Sequence, residues 1–123
     1  MKYFTVLVTV SRKYSSRKAV DDVLADFAKS HWPMRVIVGD CPTGADLYAR
    51  DWCAENNTPC TVFTADWDKH GRAAGPIRNR EMVNQKPDIV LAFFEGESRG
   101  TRNCVGLAIA RGIEVIKYLT PKS

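Results

Sequence analysis

The run Ile89-Val90-Leu91-Ala92-Phe93-Phe94 contains no polar side chain. A strand covered on both faces reads this way, and such strands belong to parallel sheets with helices packed above and below. The run is far short of the roughly 18 apolar residues that a membrane span needs, and no other stretch comes closer. The rest of the chain has to be compatible with a buried parallel strand near its C-terminal third.

It is compatible, because strand and helix patterns alternate throughout. Tyr3 to Val10 is rich in β-branched and aromatic residues and reads as the first strand. A polar loop, Ser11 to Ser16, ends in two serines suited to capping a helix. Val20, Val23, Leu24, Phe27 and Ala28 then follow the spacing of an amphipathic helix. Pro33 leads into a second strand, Arg35 to Val38, and the turn-rich Gly39-Asp40-Cys41-Pro42-Thr43-Gly44 precedes a helix from about Ala45 to Asn56. Cys60 to Thr64 reads as strand three, and Ala65 to Gly75 as a long irregular stretch. Pro76 suits the first position of a helix that runs toward Asn84 and is closed by Pro87. After the apolar run come the loop Glu95 to Gly100, a helix through Val105, Ala108 and Ile109 that Gly112 should end, and a last strand, Ile113 to Tyr118. Such alternation predicts an α/β, Rossmann-like three-layer sandwich with a five-stranded parallel sheet. With 123 residues and no linker or repeat, a single domain over 1–123 is expected.

Composition bounds what this domain does. Its 45% hydrophobic content supports a core without disulfides or metal. The opening Met1-Lys2-Tyr3-Phe4-Thr5 runs straight into a strand with no signal-peptide pattern, so a cytoplasmic location with no membrane partner is expected. Cys41, Cys53, Cys60 and Cys104 form no C-x-x-C pair and read as reduced thiols packed as small hydrophobes. The net charge of +4 suits an anionic ligand or a weak nucleic-acid surface and selects neither.

In an open parallel sheet, ligands bind beyond the carboxyl ends of the strands, near the switch in strand order. Three loops qualify: Ser11-Arg12, Gly39 to Asp46, and Gly96 to Thr101. Two of them carry glycines just before a helix, where backbone N–H groups and the helix dipole favour a phosphate. The side chains of Arg99 and Thr101 add donors. Arg78 and Asn79 sit at a helix start, where an arginine opposes the dipole; an anionic ligand explains it, and a solvated surface arginine is the competing reading. Asp40 and Asp46 flank the second loop; Asp46 is either an acceptor for ribose hydroxyls or ordinary first-turn helix chemistry. Trp67 is either a stacking surface for a base or a pin to the core. Asp66, Asp68 and His70 lack a convincing fourth ligand, so no metal is expected, and neither a Walker A loop nor G-x-G-x-x-G occurs. Neither His31 nor His70 has a partner that would make a catalytic triad.

Several strings together carry a resemblance: Gly44-Ala45-Asp46, Ala74-Gly75-x-x-Arg78-Asn79-x-x-Met82, Pro87-Asp88, Ala92-Phe93, Gly100-Thr101, and Ala108-x-x-x-Gly112-Ile113-x-Val115. In order and spacing they resemble the YspA/YpsA-related branch of the SLOG superfamily, whose relatives include the Lonely-guy phosphoribohydrolases and the DprA/Smf proteins. The resemblance covers nearly the whole chain. It implies a Rossmann-like fold for nucleotides or nucleotide-derived molecules, with the ligand loops at Ser11-Arg12, Gly39 to Asp46, Arg78-Asn79 and Gly96 to Thr101. It also departs from the family. Val10 stands where a glycine usually precedes the Ser-Arg pair. The Lonely-guy enzymes carry P-G-G-x-G-T-x-x-E, and here Cys104 stands at the glutamate of the segment Gly96-Glu97-Ser98-Arg99-Gly100-Thr101-Arg102-Asn103-Cys104.

Three functions follow as expectations. The first is binding of a nucleotide-derived small molecule, for sensing, sequestration or processing, through Ser11, Arg12, Gly39, Asp40, Gly44, Asp46, Arg78, Asn79, Gly96, Ser98, Arg99, Gly100 and Thr101, with no cofactor. The second is a nucleoside 5′-monophosphate N-glycosidase with Arg78 and Glu97 as catalytic residues, weakened by the loss of the glutamate at Cys104. The third is single-stranded DNA binding of the DprA type, which the modest charge and the lack of an interleaved arginine–aromatic stretch disfavour. Related domains pair through helices, so a homo-oligomer is a further expectation.

Overall fold

A computed structural model of the chain describes residues 2–11, 14–39, 45–95 and 99–119. The elements run β1 (Phe4–Val10), α1 (Arg17–Ser30), β2 (Met34–Gly39), α2 (Ala45–Glu55), β3 (Cys60–Phe63), α3 (Trp67–His70), a 3-10 turn (Gly71–Ala73), α4 (Ala74–Asn84), β4 (Ile89–Phe94), α5 (Arg99–Ala110) and β5 (Glu114–Leu119). The five strands form one parallel sheet in the order β3-β2-β1-β4-β5. The fold is thus the α/β, Rossmann-like sandwich with a five-stranded parallel sheet that the alternation predicts.

Strand periodicity builds the two outer layers. Val6 and Val8 of β1 point to one face, where they pack with Val20 and Leu24 of α1 and Ala49, Trp52 and Cys53 of α2. Leu7 points to the other, against Met82 and Val83 of α4 and Cys104 and Ala108 of α5. The interior strand β4, between β1 and β5, is buried along nearly its whole length. Its anchor is Phe93, fully buried, stacked on Tyr118 at 4.9 Å and met edge-on by Tyr14 at 5.3 Å. At the opposite end of the sheet, Asp88 accepts from the Thr5 N–H at 2.8 Å and its own N–H donates to the Thr5 carbonyl at 2.9 Å. The Pro87-Asp88 string therefore fixes the start of β4 against β1.

Helix ends follow local chemistry. Ser16 caps α1 by accepting from the Ala19 N–H at 3.1 Å. At the end of α5, the Gly112 N–H reaches the Ile109 carbonyl and the Ile113 N–H the Ala108 carbonyl, both at 3.0 Å, with Gly112 at φ 71°. This is the paired closure that needs a left-handed residue, and it turns Ile113 onto the α4–α5 side of the core. A Cβ on Gly112 would meet nothing within 4 Å. Gly112→Ala is therefore expected to cost about 1 kcal/mol through backbone conformation alone, read as a lower urea midpoint at an unchanged slope.

Two segments differ from expectation. The stretch Ala65 to Gly75 is not irregular: it holds the four-residue α3 and a 3-10 turn, because the Asp66 carboxylate accepts from the Lys69 N–H at 3.1 Å and Gly71, at φ 57°, turns the chain out of α3. Helix α4 starts at Ala74, two residues ahead of Pro76, because first-turn N–H groups have no intrahelical partner for a proline to remove. Among the described residues, no helix is long and apolar enough to cross a membrane.

Candidate functional site

The strand order reverses at β1: the chain moves outward through β2 to β3, then returns to the other side of β1 as β4. The connections leaving β1 and β4 therefore diverge and open a crevice at their carboxyl ends. Helices α2 and α5 both begin at this rim, on opposite faces of the sheet.

One wall of the crevice is Ser11 and the end of β4. Ser11 is buried; its N–H donates to the Phe93 carbonyl at 3.0 Å, and its hydroxyl donates to the Glu95 carbonyl at 3.2 Å. Ser15 donates to Glu95 Oε1 at 2.8 Å, which ties the connection after β1 to the one after β4 a second time. The Tyr14 N–H bonds the Ser11 carbonyl at 3.0 Å. Burial, with the Glu95 charge nearby, raises the Tyr14 phenol, so it stays neutral.

The opposite wall is a charged cluster over Gly39. A Cβ at Gly39 would sit 2.9 Å from Arg78 Nη1, 3.0 Å from its Cζ and 3.0 Å from Asp46 Oδ2. The tip of α4's arginine and the first-turn carboxylate of α2 thus converge on the bare backbone at the end of β2. The position has no positive φ, so what glycine supplies here is room for these two side-chain ends. Beneath them, Cys104 is fully buried, beside Thr9, and within electrostatic reach of Arg78 and Asp46. Burial pushes its thiol up to about 11, so it is protonated at neutral pH. The residue at the glutamate position of the Lonely-guy motif is therefore neither charged nor a ready proton carrier.

Asn79 spends its side chain inside the protein. It is 2% exposed, donates to the Gly100 carbonyl at 3.2 Å and to Asn103 Oδ1 at 3.0 Å, and accepts from Arg78 Nε at 3.3 Å. Both amide hydrogens are used, so it clamps α4 to the first turns of α5 and steadies the arginine. Asn79→Ala should cost about 1–3 kcal/mol in a urea titration.

The remaining sequence-predicted residues fall as follows. Thr101 is buried in the first turn of α5, while Arg99 and Gly100 are exposed at its start. Arg12, Asp40, Gly44, Gly96, Glu97 and Ser98 lie outside the described residues. Trp67 is 48% exposed, packs 3.4 Å from where a Cβ on Gly75 would sit, and with Thr64, Ala65, Asp66 and Asp68 lines an open cavity of about 490 Å³ beyond β3. Asp66 serves as the cap of α3, and among the described residues no group of three or more His, Cys, Asp or Glu is placed to hold a metal ion. Sequence reasoning missed Thr9 and Asn103. The signal for Thr9 was a hydroxyl set between Val8 and Val10 in a strand whose other polar residue is Thr5.

Two comparisons bear on this arrangement. The family described as "YspA, cpYpsA-related SLOG family" (YAcAr) matches residues 4–70, which takes in β1 through α3 and the Gly39–Asp46 wall of the crevice. The "Gene 61 protein" of Mycobacterium phage D29 is 41% identical over 120 residues, covering 92% of this chain and 94% of that protein. The chain belongs to the YspA, cpYpsA-related SLOG family.

Proposed function

We propose that this protein binds a nucleotide or nucleotide-derived small molecule in the crevice between the carboxyl ends of β1, β2 and β4. The observation that carries the reading is the convergence of Arg78 and Asp46 over Gly39. A guanidinium there offers paired donors to a phosphate, and the carboxylate beside it accepts from ribose hydroxyls. The N-termini of α2 and α5 approach from either face, and their dipoles favour an anion. Trp67 supplies a ring face for the base: it rests on Gly75, which precedes Arg78 by about one helical turn, or about 5 Å of rise. Membership of a SLOG family supports a nucleotide-related role.

Isothermal titration against NAD, ADP-ribose, AMP and cyclic nucleotides tests this. Saturable heat from at least one of them is expected, weakened in Trp67→Ala. Absence of heat and of any thermal shift across the whole panel would overturn it.

The Asp46 carboxylate also favours a second reading, an N-glycosidase acting on nucleoside monophosphates. With a neutral thiol at Cys104, Asp46 is the described carboxylate that faces Arg78 and can stabilise positive charge developing on a ribose. Release of free base from AMP, reduced in Asp46→Asn by far more than AMP affinity is, supports this reading. Binding without base release leaves the first.

A further inference from the structure

The four cysteines look unrelated in the sequence, but two of them meet in the fold. Cys53 lies in the last turns of α2 and is 1% exposed. Cys60 opens β3 and is half-buried. Between them the chain reverses tightly: Asn57 takes φ 50°, the Thr58 N–H closes onto the Cys53 carbonyl at 2.9 Å, and the Asn56 amide caps the Trp52 carbonyl at 2.8 Å. The reversal carries Cys60 back against the core cluster that contains Cys53, so the two thiols face each other closely enough to shift one another's protonation.

We propose that Cys53 and Cys60 are a reversible thiol–disulfide pair, with Cys60 reacting first with a hydroperoxide and Cys53 resolving it. The asymmetry of the site supports this order. Cys60 has solvent access, whereas Cys53 is sealed behind it. The adjoining Cys53 thiol and the charge of Arg50, one turn before Cys53 on α2, outweigh burial and Asp46 and lower the Cys60 thiol toward the thiolate, the form that reacts. Cys53 is pushed up by its pairing with Cys60 and by burial, so it stays protonated and does not compete for the peroxide.

The Cys60 thiolate attacks one peroxide oxygen. The O–O bond breaks, the leaving hydroxide takes up a proton to become water, and Cys60 becomes a sulfenic acid. The Cys53 sulfur then attacks Cys60 Sγ as its thiol proton passes to the departing oxygen. An S–S bond forms, the S–O bond breaks and a second water leaves. Two thiols are oxidised and one peroxide is reduced. A small peroxide suits a half-buried sulfur better than a bulky disulfide reagent does.

The experiment treats the whole chain with dilute hydrogen peroxide and follows it by intact mass and peptide mapping. The expected result is loss of two hydrogens, a linked pair of peptides carrying Cys53 and Cys60, and full reversal by dithiothreitol. In Cys53→Ala, Cys60 should stop at the sulfenic acid and be captured by dimedone. In Cys60→Ala, Cys53 should stay unmodified. Any of three results would overturn the proposal: wild-type Cys60 accumulating as sulfenic or sulfinic acid with no linked product, neither thiol reacting while free cysteine in the same tube is consumed, or a link to Cys41 or Cys104 instead. Should Cys53→Ala fail to fold by circular dichroism, the wild-type peptide map decides alone. This proposal stands apart from the ligand reading above.

Discussion

A loss of about 3–5 kcal/mol in unfolding free energy is expected for Phe93→Ala. The side chain is fully buried in the apolar interior strand β4, and its ring is contacted by Tyr118 at 4.9 Å and Tyr14 at 5.3 Å, from different parts of the chain. Truncation removes the transfer energy of the ring, leaves a cavity that a strand hydrogen-bonded on both sides cannot close, and abolishes two aromatic pairs. A domain of this size has roughly 5–15 kcal/mol to lose, so the variant should melt about 10–25 °C lower. Because the Phe93 carbonyl also holds the Ser11 N–H, the crevice wall should loosen as well. A cost below about 1.5 kcal/mol in a two-state urea titration would mean that Phe93 is not the anchor described above.

The other large effect should appear in binding rather than stability. Arg78→Ala removes the guanidinium that we assign to the phosphate. A hydrogen bond to a charged group is worth about 1.5–3 kcal/mol, so affinity for the best nucleotide of the panel should fall about 10- to 150-fold. Arg78→Lys should recover only part of this, because an ammonium cannot present two parallel donors. Gly39→Ala gives an independent check from the strand beneath it. The new methyl would sit 2.9 Å from Arg78 Nη1 and 3.0 Å from Asp46 Oδ2, both far ends of side chains that can swing aside. Its stability cost should therefore stay under about 1 kcal/mol, within the usual range for a change without a severe mechanism, while affinity falls as it does in Arg78→Ala. Unchanged affinity in both variants would place the ligand elsewhere.

Much of the architecture could be read locally, because burial imprints a period on the chain. The run at Ile89–Phe94 and the spacing of Val20 and Leu24 both match the buried positions. The segment from Ala65 to Gly75 was not legible. A four-residue helix has no room for an amphipathic stripe, and it rests on one capping carboxylate and one turning glycine. At the rim, residue type marked Gly39, Asp46 and Arg78, but their relation could not be read. Gly39 leaves room for a side chain that arrives 39 positions later. Asn79 looked like a ligand donor next to Arg78, yet its partners lie 21 and 24 positions downstream on another helix. Sequence pattern reports which face a residue turns inward and is silent on which distant group it meets there. The meeting of Cys53 and Cys60 was hidden for the same reason, since it depends on how tightly the chain turns after α2.

The amide of Asn79 carries a wider implication. A single side chain aims the arginine and also anchors the opening of α5, so these two parts of the rim share one hinge pin. Remodelling α5 for a different cargo would re-point the guanidinium at the same time. Homologues that diverge at Asn103 or around Gly100 must therefore aim that arginine by some other means, or give it up as a gripping group.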